Sequence, residues 1–211
     1  MFYEPRNGHG LPHNPFNSIV IPRPIGWIST LSSRGVPNLA PYSFFNAVAY
    51  HPPQVMFAAT SGHSFGGLKD AVVDAETTGE FVANIATFEL REPMNVSAVS
   101  APHEVDEFEY AGLTKMDSEM VKCPRVAESP IHLECRYLRS VTMLTDDSDH
   151  PNTVVFGEVI GVHIDDGVVK NGLINIEKLR PIGRLGYLDF VEVNNSFSMD
   201  RPNWDPSQQT G

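Results

Sequence analysis

Apolar positions along this chain recur mostly with a period of two, and only briefly with the period of a helix. Residues 25–31 (IGWISTL) form a strand-like run, and 32–35 (SSRG) carry turn chemistry before VPNLAP, so a hairpin is predicted here. Residues 52–60 (PPQVMFAAT) predict another strand, whose two prolines fix its start and withhold ladder donors there. The period then changes. Leu68, Ala71, Val72 and Ala75 share one helical face, and Gly79 is placed to end that helix. In 80–86 (EFVANIA), Phe81, Ala83 and Ile85 alternate with Val82, Asn84 and Ala86, which predicts a strand. A second helix is predicted over 88–99, with Pro93 kinking it or marking its start. Two long strands follow, over 131–144 and from 153 onward; the Asp166-Gly167 turn signal closes the second, before a further short strand. Strands of this length with few helices between them predict an antiparallel barrel, not a parallel sheet.

The pattern is continuous between two polar ends, so a single domain is expected over 18–190. An extended arm (1–17), rich in Pro, Gly and Asn, would precede it, and a polar tail (191–211) would follow. At 211 residues and 41% hydrophobic composition the chain can bury one good core, and 19% charged residues excludes a disordered class. The net charge of −11, with no Lys/Arg run, argues against nucleic acid and against an anionic membrane surface. There is no basic-then-apolar leader pattern and no apolar run of spanning length, so a cytoplasmic protein is expected. Cys123 and Cys135 have no metal-site spacing and read as reduced thiols.

Four stretches carry candidate chemistry. In 29–53 (STLSSRGVPNLAPYSFFNAVAYHPP), the hydroxyls of Ser29, Thr30 and Ser43 and the amides around Tyr42–Asn46 could bind an anion, with Phe44 and Phe45 flooring an aromatic ring. A buried hairpin whose Ser and Asn cap backbone groups is the plainer reading of that composition. In 61–70 (SGHSFGGLKD), two glycines at a helix start, flanked by Ser64 and Lys69, suit an anion at a helix N-terminus; an ordinary Ser cap before an amphipathic helix is the plainer reading of the motif alone. The eight histidines show neither HxH nor a helical HxxxH pair, so no metal is expected. In 178–190, Arg180 and Arg184 are cations beside glycines in an acidic chain, suited to a flavin or phosphate pocket or to packing on Tyr187.

Together these residues resemble a known family. Residues 22–53 (PRPIGWISTLSSRGVPNLAPYSFFNAVAYHPP) are similar to the signature segment of the flavin reductase-like, FMN-binding split-barrel proteins. LKDAVVDAETTGEFVANI, EPMNVSAVSAPHEVDEFEYAGLT, PRVAESPIHLECR and FGEVIGVHIDD follow in the family's order, so the resemblance covers about 18–190. It implies a six-stranded split β-barrel with a few helices, a mainly β fold, assembled as a homodimer with FMN at the subunit interface. Carried over by motif, Ser29, Thr30, Ser43 and Asn46 would contact phosphate and ribityl chain. The backbone of Tyr42, Ser43, Phe44 and Phe45 would lie along the isoalloxazine, and Lys69 would face the phosphate. Arg23 and Arg184 match arginine positions of the motif.

Two departures stand out. Leu68-Lys69-Asp70-Ala71 lacks the Arg and Thr that often flank the family's Lys-Asp, and His63, Ser64 or the glycine amides would replace those donors. Residues 157–159 read Gly-Glu-Val where the reductase branch has Gly-Asp-His, a motif associated with nicotinamide use. The implied activity is an NAD(P)H-dependent flavin oxidoreductase passing electrons through FMN to a small-molecule or redox-protein acceptor. The alternatives are a flavoredoxin-like carrier that does not itself oxidise NAD(P)H, and a split-barrel module without flavin. No side chain is expected to act as a catalytic acid or base, because the cofactor does the redox chemistry.

Overall fold

The architecture is set by what happens on either side of Ser43 and Phe44. In the structure, a computed structural model describing residues 1–147 and 151–204, β1 (Gly26–Leu31) and β2 (Pro37–Tyr42) form the predicted hairpin, with Gly26 opposite Tyr42 and Leu31 opposite Pro37. Its turn is held by Ser32, whose N–H donates to the Val36 carbonyl at 2.9 Å and whose Oγ accepts from the Val36 N–H at 2.9 Å. After Ser43 and Phe44 the chain enters β3 (Phe45–Tyr50), which pairs with β4 (Pro53–Ala59) and not with β1.

With β5 (Glu80–Ile85), β6 (Ile131–Met143) and β7 (Asn152–Ile164), the sheet runs β2-β1-β5-β6-β7-β4-β3, every neighbour antiparallel. Its two edges, β2 and β3, are consecutive in the chain, so Ser43–Phe44 bridges them and the sheet closes on itself. Seven ladder segments therefore stand where six strands were expected: the run 37–50 serves both edges. Gly26 makes the closure possible, since a Cβ there would overlap the ring of Phe45, which lies across β1 from the opposite edge.

The barrel interior holds Ile28, Phe45, Val55, Phe57, Phe81, Ala83, Cys135 and Val155. Helix α1 (Asp70–Thr78) plugs it with Ala71, Val72 and Ala75. Burying each phenylalanine contributes roughly 2 kcal/mol. The outer face is covered too: Trp27 and Leu39 pack with Met94, Phe108, Val126 and Ile182 under α2 (Arg91–Val96) and α3 (Glu107–Tyr110). Burial on both faces explains why 25–31 shows no apolar–polar alternation.

The segment 117–126 is tied to the outside by polar groups. Glu134, fully buried on β6, accepts from the backbone N–H groups of Glu119 (2.9 Å), Met120 (2.6 Å) and Val121 (3.2 Å), and pairs with His163 of β7. His132, also on β6, bonds the Val126 carbonyl through Nε2 at 2.8 Å.

Helix bounds differ from expectation for local reasons. α1 starts at Asp70, because Gly66 and Gly67 turn the chain ahead of it: the His63 N–H donates to the Gly67 carbonyl and the Gly66 N–H to the His63 carbonyl, both at 2.9 Å. It ends at Gly79, whose left-handed φ of +80° lets its N–H reach the Ala75 carbonyl. α2 is shorter than 88–99, and Pro93 falls in its first turn, where no intrahelical donor is needed.

A small antiparallel sheet of Arg23–Pro24, Ile182–Arg184 and Phe190–Glu192 links the two ends of the chain. Residues 205–211 of the expected tail, and His150, lie outside the described residues. Both cysteines are free and buried. Among the described residues no helix is long and apolar enough to cross a membrane.

Candidate functional site

Where the edge strands meet, the surface opens into a groove. Its larger part is a cleft of about 550 Å³ lined by Arg23, Ser43, Phe44, Asn95, Arg184 and Tyr187 among others. Its smaller part, about 110 Å³, is lined by Asn38, Tyr42, His63, Lys69, Ser100 and Glu107. The two meet at Pro41 and Ala98. Strand β2 thus runs along the floor, and Ser43–Phe44 stands at the closure of the barrel.

The cleft is cationic. Arg23 is 8% exposed, and its guanidinium donates to the carbonyls of Asn17 (2.6 Å), Val20 (2.7 Å) and Leu185 (2.9 Å). Its Nε is buried without a hydrogen-bond partner, and the guanidinium lies 5.5 Å from the centre of the Phe44 ring. Burial, and then the neighbouring charge of Arg184, push the Arg23 pKa down. Arg184 stacks on Phe190 at 4.3 Å and donates to the Tyr187 carbonyl. Neither arginine has a carboxylate partner among the described residues. Residues 12–17 of the N-terminal arm form part of the wall, and His13 meets Tyr187 edge-on with ring centres 5.7 Å apart.

The small pocket mixes one free cation with masked acids. Lys69 is the N-cap residue of the nine-residue α1 and has no ion-pair partner among the described residues. Asp70 is held by His63, with Nε2 to Oδ2 at 3.4 Å, and by His103 through a close Nδ1–Oδ1 contact. The two imidazoles stack at 4.2 Å. Glu107 accepts from the Leu39 N–H at 3.1 Å, yet burial pushes its carboxyl up to about 7. Asp74, below it, is pushed up to about 6 by burial despite a 2.8 Å bond from the Thr30 hydroxyl. Burial and the surrounding carboxylates keep the Tyr42 phenol neutral. Burial thus keeps Glu107 and Asp74 protonated to higher pH than an exposed carboxyl.

His63, Asp70 and His103 bring three potential ligand atoms within 4.8 Å of one another. However, His63 Nδ1 accepts from the Phe65 N–H at 3.1 Å, so its Nε2, 3.4 Å from Asp70 Oδ2, carries the hydrogen. That tautomer leaves no lone pair for a cation, and burial lowers the His63 pKa.

Of the residues singled out from sequence, Arg23, Ser43, Phe44 and Arg184 line the cleft, and Tyr42, His63 and Lys69 line the small pocket. The others stand elsewhere. Ser29 is fully buried, donates to the Pro124 carbonyl at 2.7 Å, and accepts from Asn84 at 3.1 Å. Thr30 faces Asp74 and Asn38. Phe45 points into the barrel, and Asn46 is exposed on β3. Ser64 is exposed and bonded to Ser100 at 2.6 Å. Ser100, Asn95, Glu107, His13 and Tyr187 enter the groove without having been singled out for it. No local motif marks them; only fold closure brings them in.

Comparison with known proteins agrees with this architecture. A family model described as the flavin reductase like domain matches residues 18–182. An uncharacterized protein of Aquifex aeolicus (strain VF5) is 41% identical over 176 residues, covering 83% of this chain and 86% of that protein. Nitrilotriacetate monooxygenase component B from Bacillus cereus superposes with a TM-score of 0.82 at 28% identity, over 91% of this chain and all of that one. The 2-nitrobenzoate 2-nitroreductase NbaA of Pseudomonas fluorescens gives a TM-score of 0.77 at 25% identity, over 91% of each chain. The chain thus belongs to the flavin reductase-like family and has its split-barrel fold.

Proposed function

We propose that this protein is an FMN-binding oxidoreductase of flavin reductase type. Its phosphate end would lie at the Lys69 pocket and its ring end at the Arg23–Phe44 cleft. The observation that carries the reading is the groove itself: a lysine at a helix N-terminus leads, past Pro41 and Ala98, into an aromatic cleft with two arginines that have no carboxylate partner among the described residues. The residues fit the group. Lys69 and the α1 terminus supply charge and donors for a phosphate, with Ser100 and His63 beside them. Burial reduces the negative charge that Glu107 carries there near neutral pH. The buried, partnerless Arg23 Nε and the Arg184 charge favour an electron-rich ring edge in the cleft. Bound there, FMN would supply the redox chemistry that no side chain of this groove can perform.

In this reading NAD(P)H is the electron donor, and a small molecule or redox protein accepts the electrons. The working unit is a homodimer in the cytoplasm, with the groove at the subunit interface. The carrier alternative, without NAD(P)H oxidation, draws on residues 157–159: Glu158 pairs with Arg136 at 3.4 Å and lines neither part of the groove.

Flavin titration with visible spectroscopy tests the reading. FMN should bind, riboflavin should bind more weakly, and Lys69→Ala should cost roughly tenfold in FMN affinity while leaving riboflavin unaffected. A protein that stays colourless and takes up no FMN would refute it. Anaerobic mixing with NADH and NADPH then decides the donor: bleaching by either supports the reductase, and bleaching by neither leaves the carrier.

A further inference from the structure

The cleft does not end at Arg184. Beyond it lies a second chamber of about 390 Å³ walled by Phe88, Met94, Ile182, Leu188, Phe190 and Val191. It joins the first through Met94, Asn95, Arg184 and Phe190, which line both. The walls are mainly apolar, and the two acids among them, Glu92 and Glu192, are paired with Arg91 at 3.5 Å and Arg180 at 2.6 Å, so what the chamber holds must have an apolar body.

Two polar groups stand at the junction with unused capacity. Arg184 has five N–H donors; its one acceptor among the described residues is the Tyr187 carbonyl, and the guanidinium lies over the Phe190 ring at 4.3 Å. The Asn95 carboxamide has no side-chain hydrogen bond among the described residues. The other cations of the chamber wall differ. Arg91 is tied to Glu92 at 3.5 Å and to the Phe88 carbonyl at 2.7 Å, and the nearby Arg180 is bracketed by Glu89 and Glu192. In a chain of net charge −11, a guanidinium without a carboxylate partner among the described residues, at the mouth of a mainly apolar chamber, selects for an anion.

We infer that this second chamber binds a planar organic anion, an aromatic carboxylate in its simplest form, with Arg184 and Asn95 receiving the carboxylate and Phe88 and Phe190 flanking the ring. The position of this site beside the flavin ring rests on the reading proposed above; the binding itself does not. A carboxylate on a planar guanidinium pairs through two parallel N–H donors, which a neutral amide cannot match. Arg184, at the junction of the two spaces, would therefore set which ligand the chamber accepts.

Calorimetric titration with benzoate and with benzamide, on the protein with and without added FMN, tests this. Benzoate should bind at least about tenfold more tightly than benzamide, as expected for one charge-assisted pair. Arg184→Gln should remove that preference, and Arg184→Lys should keep part of it. Equal binding of the two probes, no binding of either, or an undiminished preference in Arg184→Gln would overturn the inference. Benzoate that displaces FMN would also overturn it, because the chambers would then be one site. If benzoate is preferred in an Arg184-dependent way but FMN does not bind, the chamber stands and the flavin reading falls.

Discussion

Two buried acidic regions of this molecule are built from the same residue types and behave in opposite ways. Glu134 sits under the 117–126 segment with three backbone N–H donors and His163 around it. Burial alone would raise its pKa, but those donors outweigh burial and hold it below the usual carboxylate value. Glu107 and Asp74, beside the groove, each have fewer donors, and burial wins, taking them to about 7 and about 6. Donor count separates an acid that anchors the fold from acids that burial pushes upward beside the groove.

The difference also fixes the sign of each region's pH response. Glu134 contributes stability above its unfolded pKa and loses it as pH falls. His132, beside it and pushed down to about 4 chiefly by burial, adds to acid sensitivity, since its contribution is present above 6.5 and lost as pH falls toward 4. Glu107 and Asp74 are the reverse. Their contribution is complete below the unfolded carboxylate range and is lost as pH rises through about 7 and about 6.

The contrast can be broken most forcefully at Glu134. Glu134→Ala strands three backbone donors and a histidine, and should lower the unfolding free energy by about 3–5 kcal/mol in urea denaturation; a loss below about 1 kcal/mol would mean the anchor is replaceable. A smaller effect, with its sign set by pH, is expected at Glu107. Glu107→Gln should match the parent protein near pH 4.5 and exceed it in stability above pH 7, seen as a flatter profile of melting temperature against pH. Parallel profiles would show that Glu107 is ionised throughout. The smallest effect tests the donor argument directly. Thr30→Val keeps the shape but removes the hydroxyl that serves Asp74, and should cost about 1 kcal/mol, more at pH 8 than at pH 5.

The sequence shows these parts unevenly. The strands, the α1 face and the Gly79 stop were legible because their signals are local: period, turn residues, one glycine. The chemistry of Lys69, His63, Ser43 and Phe44 was legible as residue types in two short stretches, and the structure brings all four to one groove. Which way Ser29 and Thr30 face was not. Period-two reasoning assigns a wet side and a dry side, and β1 is covered on both, so their hydroxyls meet Pro124 and Asp74 instead of solvent or a ligand. Ser100 and His103 escaped for a different reason. They reach Ser64 and Asp70 across 36 and 33 residues, through a connection with no periodicity of its own. The strand count was off by one because a single extended run closes the barrel on both edges, and no local pattern announces that.

Arg23 gives the groove a place in the life of the chain. Its guanidinium joins carbonyls at residues 17 and 20 to one at residue 185, a separation of 162 positions across the last bond. On the ribosome, the barrel strands are all synthesised by residue 164, but the cleft lacks a wall until the 182–190 stretch emerges and meets the arm. The same geometry acts in reverse in the finished protein. Fraying at either terminus would unlatch the cleft while the barrel beneath stays intact, so exchange of whatever the cleft holds can proceed by local opening, without global unfolding.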